Sequence, residues 1–532
     1  MLPGLTGFKT DCTILKRFID VAFRSLAVRS IPSRCRFLAI LAAIIPIATM
    51  AAAKAAPTTV RVNWGSVIGT SPTTLTLQVV VNPLLRPSSP ISARAFLALH
   101  RLRANFVRFV PWLPYPQLAV PELYPPRDGK TFWKFTLIDP MVRDFMRATA
   151  GHPTIINFST IPEWMFQTPK PVTWPANPNQ VFWGYEQGTQ LRDKSLKTLA
   201  NYYARLVSWY TRGGFRDEYG HWHNSGFHYH FAWWEVLNEV DFEHHMNVQR
   251  YTRWYDAITA AIHKVSPQTK FVALALGAPS NDVAWFKYFL NPRNHAPGTP
   301  IDMISYHFYA SPPAAAKPAA WPKIFFSQAN GFLKTVRQIQ AIRRRFSPQT
   351  KTDIDEIGSI LPYDTAPTLV RPIPNMYWNL SGAMYAYLFA HFARQGIEIA
   401  GESQLIGYPS QFPSVSMVNW TTGVPNARFR VLELLHDNFG PGDRIIATKV
   451  RKGGIFAQAF ITPAGERKIL LVNQRNRTAL VKMAGIKGAT EQWVDQLTAE
   501  APPAHRVLTH NDLHLGGVGV AVITLKGKSR HE

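Results

Sequence analysis

Between residues 75 and 440, short β-branched runs alternate with longer stretches whose apolar positions recur at helical spacing. The apolar runs predict strands at 75–81, 106–111, 154–159, 230–239, 271–277, 301–309, 351–359 and 397–403. Helical patterns lie between them at 92–102, 139–149, 191–211, 247–265, 281–291, 330–346 and 377–394, with 426–439 after the last strand. In the third of these, Leu196, Leu199, Tyr203, Leu206 and Tyr210 form one buried stripe. Asp139-Pro140 reads as an N-cap followed by proline at the first helical position. The segment SPQTK occurs at 266–270 and again at 347–351, each time between a helix and the next strand.

Eight β-then-α units predict an α/β protein built on a (β/α)8 TIM barrel with long insertions. A doubly wound open sheet would show the same alternation, but no G-x-G-x-x-G follows a strand. After residue 440 the helices stop, and IFAQAFIT, KILLVNQR, ALVKM, EQWVDQ and GVAVITLKG predict a C-terminal β-sandwich domain. Strand material near 59–68 is available to join it. The expected organisation is therefore a targeting segment at 1–56, a catalytic domain at 57–440 and a sandwich at 441–532.

The targeting segment rests on residues 37–53, an apolar run preceded by Arg34 and Arg36 and followed by alanines that suit a cleavage site. Export to the periplasm or exterior is expected, with an uncleaved anchor as the alternative and the only expected link to a membrane. Both cysteines, Cys12 and Cys35, fall in this segment, so the remaining chain has no disulfide and no thiolate nucleophile. The net charge of +25 favours polyanionic partners. For an exported chain without a dense Lys/Arg cluster, an acidic glycan fits better than nucleic acid, and no nucleic-acid partner is expected. Oligomeric state is not legible in the sequence.

In such a barrel, chemistry gathers where strands end at the C-terminal face. The second strand offers Arg108 and the third Asn157, with Trp164 in the following loop. The fourth ends on Asn238-Glu239, the sixth on His307 and Tyr309, and the seventh carries Glu356. Glu239 and Glu356 are far apart in sequence, yet two barrel strands can aim them into one cleft. A pair of carboxyl groups is what glycosidic bond cleavage requires, one protonated and one ionised. Trp233, Trp234 and Phe242 are candidates to desolvate Glu239, while Tyr309 and Arg108 are suitable donors to Glu356. Trp164, Trp420 and His244 join Asn238, Asn157 and His307 as candidate sugar contacts. Trp112 and Trp378 are further candidate stacking platforms. Glu163, Glu243, Asp353, Asp355 and Glu402 are rival carboxylates. Asp355, next to Glu356, is expected to face away from it. His221, His223, His228, His230, His244 and His245 surround the fourth strand and invite a metal, but neither metal nor cofactor is expected.

W-x-x-x-N-E at 234–239, S-x-H-x-Y at 305–309 and D-E-x-G at 355–358 resemble the motifs of retaining glycoside hydrolases of clan A. The stretch 230–241 and the trailing sandwich look most like family 39, the β-xylosidase and α-L-iduronidase group. The D-E pair is also similar to family 51 arabinofuranosidases. The resemblance implies a carbohydrate substrate, Glu239 as acid/base and Glu356 as nucleophile. It also implies Asn238 as a donor to the sugar 2-hydroxyl and Tyr309 as the group orienting the nucleophile. Two departures stand out: Val240 where family 39 usually has proline, and Leu237 where it usually has tryptophan. A glycan-binding protein without turnover on the same barrel is the alternative from another class. A basic cell-surface or nucleic-acid-associated protein is a third.

Overall fold

The computed structural model describes residues 57–185, 188–365, 372–409, 411–451 and 453–526. The predicted targeting segment, both cysteines included, lies outside them. Among the described residues no helix is long and apolar enough to cross a membrane.

Strand β1 (Thr58–Thr70) opens the described chain, and the barrel begins with β2 (Thr74–Val80), β3 (Val107–Val110) and β4 (Thr154–Ile156). A hairpin that the sequence pattern did not predict, β5 (Gly214–Arg216) with β6 (Trp222–Asn224), is inserted before β7 (Trp233–Glu235). The barrel is completed by β8 (Lys270–Leu276), β9 (Met303–Ala310), β10 (Lys351–Ser359) and β11 (Ile399–Glu402). All neighbours are parallel, and β11 closes onto β2. All eight predicted strands are thus in the barrel. The fourth is shorter than expected, because the chain leaves the ladder after Glu235 and turns through Leu237 and Glu239, both at positive φ.

The predicted helices form at Ser92–Leu102, Asp139–Ala148, Lys197–Thr211, Val248–Val265, Val283–Phe289, Trp321–Phe346, Asn375–Gln395 and Ala427–His436. The sixth starts well before residue 330, because Pro322 sits in its first turn, where a missing N–H costs no hydrogen bond. Asp139 is not the N-cap: it lies inside the first turn, and its carboxylate accepts from Trp209 Nε1 at 3.1 Å and the Tyr210 hydroxyl at 2.9 Å. The two SPQTK segments do the same work at the base of the barrel. In each, serine and threonine hydroxyls pair, and the threonine donates to the chain entering a barrel strand, at Phe231 O and Ile301 O.

The C-terminal region is one nine-stranded sheet, not only the strands predicted after residue 440. It comprises β12 (Arg444–Arg451), β13 (Ile455–Ile461), β14 (Arg467–Asn473), β15 (Ala479–Met483), β16 (Thr490–Val494), β17 (Ala504–Val507), β18 (Asp512–Leu515) and β19 (Val520–Thr524). Strand β1 lies within it, antiparallel to β12 and parallel to β15. Strands from its two ends share an apolar core of Val60, Leu471, Val481, Leu515 and Ile523, so the sheet folds over on itself as a sandwich. Its other face packs on the barrel helices, with Phe389 stacked on Phe460.

Candidate active site

Inside the barrel the side chains form layers. Near the strand N-termini, Ile155, Trp233, Val272, Met303 and Ile399 make an apolar floor. Above it the interior is polar, with Gln78, Arg108, Glu235, Ser305, His307, Asp353, Asp355 and Glu356 all buried. Trp233 therefore lies at the far end of the barrel from Glu239, and Trp234 points outward against Phe158 and Tyr203. Neither tryptophan desolvates Glu239, contrary to the sequence expectation. Two residues from β7 a strand side chain has changed face twice, which sets Trp233 below Glu235 and away from the turn.

Arg108 is the hub. Its Nε reaches Glu235 Oε2 at 2.5 Å and Asp355 Oδ2 at 3.0 Å. Its Nη1 donates to Glu356 Oε1 at 2.6 Å and Gln78 Oε1 at 2.7 Å, and Nη2 donates to Asn238 Oδ1 at 2.7 Å. One guanidinium cannot neutralise so many buried carboxylates. Burial, reinforced by the Glu235 charge, pushes both Asp353 and Asp355 well above the usual carboxylate range. Glu235 is held below that range: burial opposes ionisation, but the Arg108 charge and donors including Ser305 and Asn157 outweigh it.

Asp355 does not face away from Glu356. Residues 353 to 356 of β10 pair with only Ser305 to His307 of β9, and the pairing with β11 slips at the same place. This β-bulge lets consecutive residues both enter the barrel, where strict alternation would turn one outward. A second bulge, in β8, carries Leu274 and Ala275 at positive φ. It turns the Ala275 carbonyl toward the Glu239 N–H, 2.9 Å away.

The two predicted glutamates come together at the top of this interior. One oxygen of each and a ring nitrogen of His307 lie within 4.8 Å of one another. His307 Nδ1 stands 3.0 Å from Glu239 Oε1 and 3.4 Å from Glu356 Oε2, while its Nε2 faces Asp355 Oδ1 at 3.5 Å. Tyr309 donates its hydroxyl hydrogen to Glu356 Oε2 at 2.6 Å, and that hydroxyl also meets Ser403 Oγ at 2.6 Å. Burial raises the pKa of Glu239, against the pull of His307. Burial would raise Glu356 as well, but the His307 and Arg108 charges and the Tyr309 hydrogen bond hold it below its ordinary value. The ring of Phe242 and the carboxyl of Glu239 both crowd Gly277, where a Cβ would meet them at 2.6 and 2.7 Å. Phe242, of the three aromatics expected beside Glu239, is the one found there.

Asn238 also donates from Nδ2 to Glu243 Oε1 at 2.9 Å, which leaves its second amide hydrogen for another acceptor. Glu243 in turn accepts from Trp112 Nε1 at 2.6 Å, and Trp112 packs against Trp183 and Phe412. Asn157 is held beneath the site, donating to Glu235 at 2.6 Å and to the Leu237 carbonyl at 3.0 Å. Trp164 donates to the Glu122 carbonyl, and Trp420 lies edge-on to Trp378. His244 is fully buried between Phe166 and Trp254, and burial lowers its pKa to about 4. Among the described residues, none of these three hydrogen-bonds to either glutamate. Among the rival carboxylates, Glu402 is taken by Arg428 at 3.0 Å and its pKa is raised to about 7 by burial. His221 and His223 both meet Asp217. Among the described residues, the group that could hold a metal ion is Glu239, His307 and Glu356.

Gln78, Glu235 and Ser403 were not singled out from sequence, and Ser305 entered only as the first residue of the S-x-H-x-Y motif. Only Glu235 carried a signal: it lies four residues before Glu239 in a strand, on the same side as Trp233.

A closed parallel barrel with two carboxyl groups at its C-terminal mouth is the arrangement that glycosidases of the TIM-barrel class use. Residues 51–369 match the family described as glycosyl hydrolases family 39, and the chain belongs to that family. No curated protein matches it. Solved structures of similar fold include a GH51 arabinofuranosidase from Xanthomonas axonopodis pv. citri, at 12% identity and a TM-score of 0.58, covering 88% of this chain and 100% of that one. An α-L-arabinofuranosidase from Thermotoga maritima matches at 14% identity and a TM-score of 0.55, over 88% and 99% of the two chains. A family 51 α-L-arabinofuranosidase from Bifidobacterium longum matches at 13% identity and a TM-score of 0.58, over 88% and 100%. At such identities the likeness is one of fold.

Proposed function

We propose that this glycosidase works with retention, by double displacement, with Glu356 as nucleophile and Glu239 as acid/base. The reading rests on one observation: two carboxyls within 4.8 Å of each other whose environments push their pKa values in opposite directions. Retaining pairs are spaced about 5–5.5 Å apart and inverting pairs about 6.5–9.5 Å, because inversion must fit a water between them. Ionised Glu356 attacks the anomeric carbon as the bond to the leaving oxygen breaks, and Glu239 gives that oxygen its proton. Glu239, now ionised, takes a proton from water, whose oxygen displaces Glu356 and releases the sugar.

Tyr309 and Arg108 hold the two oxygens of Glu356, so one lone pair of each stays free for attack. His307 donates from Nδ1 to Glu239 Oε1, which leaves Oε2 to deliver the proton. Asn238, fixed by Arg108 and Glu243, directs its spare amide hydrogen at a sugar hydroxyl.

The test is a panel of aryl glycosides, with Glu239→Ala and Glu356→Ala beside the unaltered protein and azide in each reaction. A glycosyl azide of inverted configuration from Glu356→Ala, and one of retained configuration from Glu239→Ala, would establish both roles. Equal cleavage by all three proteins, or cleavage of no glycoside, would overturn them.

A further inference from the structure

The outer face of the C-terminal sheet carries a ladder of cations. Val60 points into the sandwich core, so Thr59 and Arg61 point the other way. Arg61 lies directly opposite Lys449 in the antiparallel β1–β12 pair, and Thr59 lies opposite Arg451. On the other side of β1, Thr59 is level with Lys482 of β15. Arg61, Lys449, Arg451 and Lys482 therefore share one face of three adjacent strands, and all four are exposed. Among the described residues none of them has an acidic partner within 4.0 Å, although Asp512 is aligned with Lys482. Like charges directly opposite on a sheet destabilise it, as Arg61 and Lys449 do here. The arrangement is a cost to the fold that an anionic ligand would relieve.

The same side of the sheet continues toward the barrel. Three residues past Arg451, at Gly454, opens a groove of about 520 Å³ that adds Lys323 and Arg475, with Asn330 and Asn476 beside them. We propose that this face binds a chain of an acidic polysaccharide, whose repeated carboxylates match a repeated row of cations and whose hydroxyls match the amides of the groove. A lipid surface fits less well, because no exposed large apolar side chain stands at a ladder position. Single-stranded nucleic acid would be expected to meet exposed aromatic rings for stacking, and the face has none. The inference goes beyond the hydrolytic reading and does not depend on it, since anchoring is measured without turnover.

The experiment is native electrophoresis of the full-length protein through gels containing polygalacturonate, with neutral arabinoxylan as the control. Melting temperature reports folding of every variant whether or not any glycoside is cleaved. Retardation by polygalacturonate alone is expected, weakening as salt rises. Replacing the four cations together (Arg61→Gln, Lys449→Gln, Arg451→Gln, Lys482→Gln) should weaken it about tenfold or more. Arg61→Lys with Arg451→Lys should preserve it. If the fourfold variant fails to fold, Lys449→Gln with Lys482→Gln carries the same test with a smaller loss. Unchanged retardation in the folded variants, no retardation of the unaltered protein, or tighter binding to phosphatidylglycerol vesicles or duplex DNA than to polygalacturonate would each overturn the proposal.

Discussion

A Cβ on Gly401 would stand 2.9 Å from the carbonyl oxygen of Asp355 and 3.1 Å from its Cα. Glycine in β11 is thus what gives the β10 bulge its room, and the bulge is what brings Glu356 into the barrel beside Asp355. Gly401→Ala should push the bulge back and misplace the Glu356 carboxylate. Errors of about 1 Å in a reacting group cost on the order of a hundredfold in rate. We expect kcat to fall by about ten- to a hundredfold on an aryl glycoside with KM little changed. Steady-state kinetics of the folded variant would check this, and unchanged kcat would detach the bulge from catalysis.

The opposed environments of the two glutamates give a bell-shaped dependence of kcat/KM on pH. Glu356 must be ionised, and its pKa is held below the usual value of about 4.3, so the acid limb should fall only as pH drops below that range. Glu239 must be protonated, and its pKa is raised, so the alkaline limb should lie well above the ordinary carboxylate range. Tyr309→Phe removes a hydrogen bond to ionised Glu356 and should move the acid limb upward while lowering kcat. An acid limb unmoved by that change would mean Tyr309 does not tune Glu356.

Among the described residues, Arg108 is the one cation in direct contact with Glu235, and the two are fully buried. Arg108→Met would leave buried carboxylates without their counter-charge, at a cost of about 3–5 kcal/mol. In the native protein Glu235 has a depressed pKa, so its contribution to stability is present above its unfolded pKa and lost as pH falls through the folded one. Without Arg108 that pKa rises. The stability gap between the two proteins should therefore be widest near neutrality and narrow toward acid pH. Urea melts across pH 4 to 7 would measure it, and a gap independent of pH would contradict the assignment.

Glu239, His307 and Glu356 present one nitrogen and two carboxylate oxygens within 4.8 Å of one another, ligand types that zinc accepts. An added Zn²⁺ ion should occupy the position that the scissile bond must enter and inhibit competitively. Chelator should restore the activity. His307→Gln, even if slow, should lose most of this sensitivity. Inhibition of equal strength in that variant would place the ion elsewhere.

Much of the barrel was legible because its signals are local. Each strand candidate and each helix candidate carries its own period, and the strand ends carried Glu239, Glu356, Arg108, His307 and Tyr309 in plain view. The misreadings that touch the site involve geometry between segments. Asp355 was assigned outward because alternation is a rule for regular strands, and a bulge is made by the partner's register. Trp233 and Trp234 were placed beside Glu239 by closeness in sequence, whereas the strand leaves its ladder between them and the turn.

The sequence by itself determined the class of fold, the two carboxylates and the donors that could serve them, since hydrophobic period and residue chemistry are properties of short stretches. Only the tertiary structure decided which carboxylate is desolvated and which is stabilised. It also decided that β1 joins strands far along the chain, where Arg61 meets Lys449 across a ladder. Electrostatic free energy depends on distance and burial, and both are set by how remote strands are brought into register.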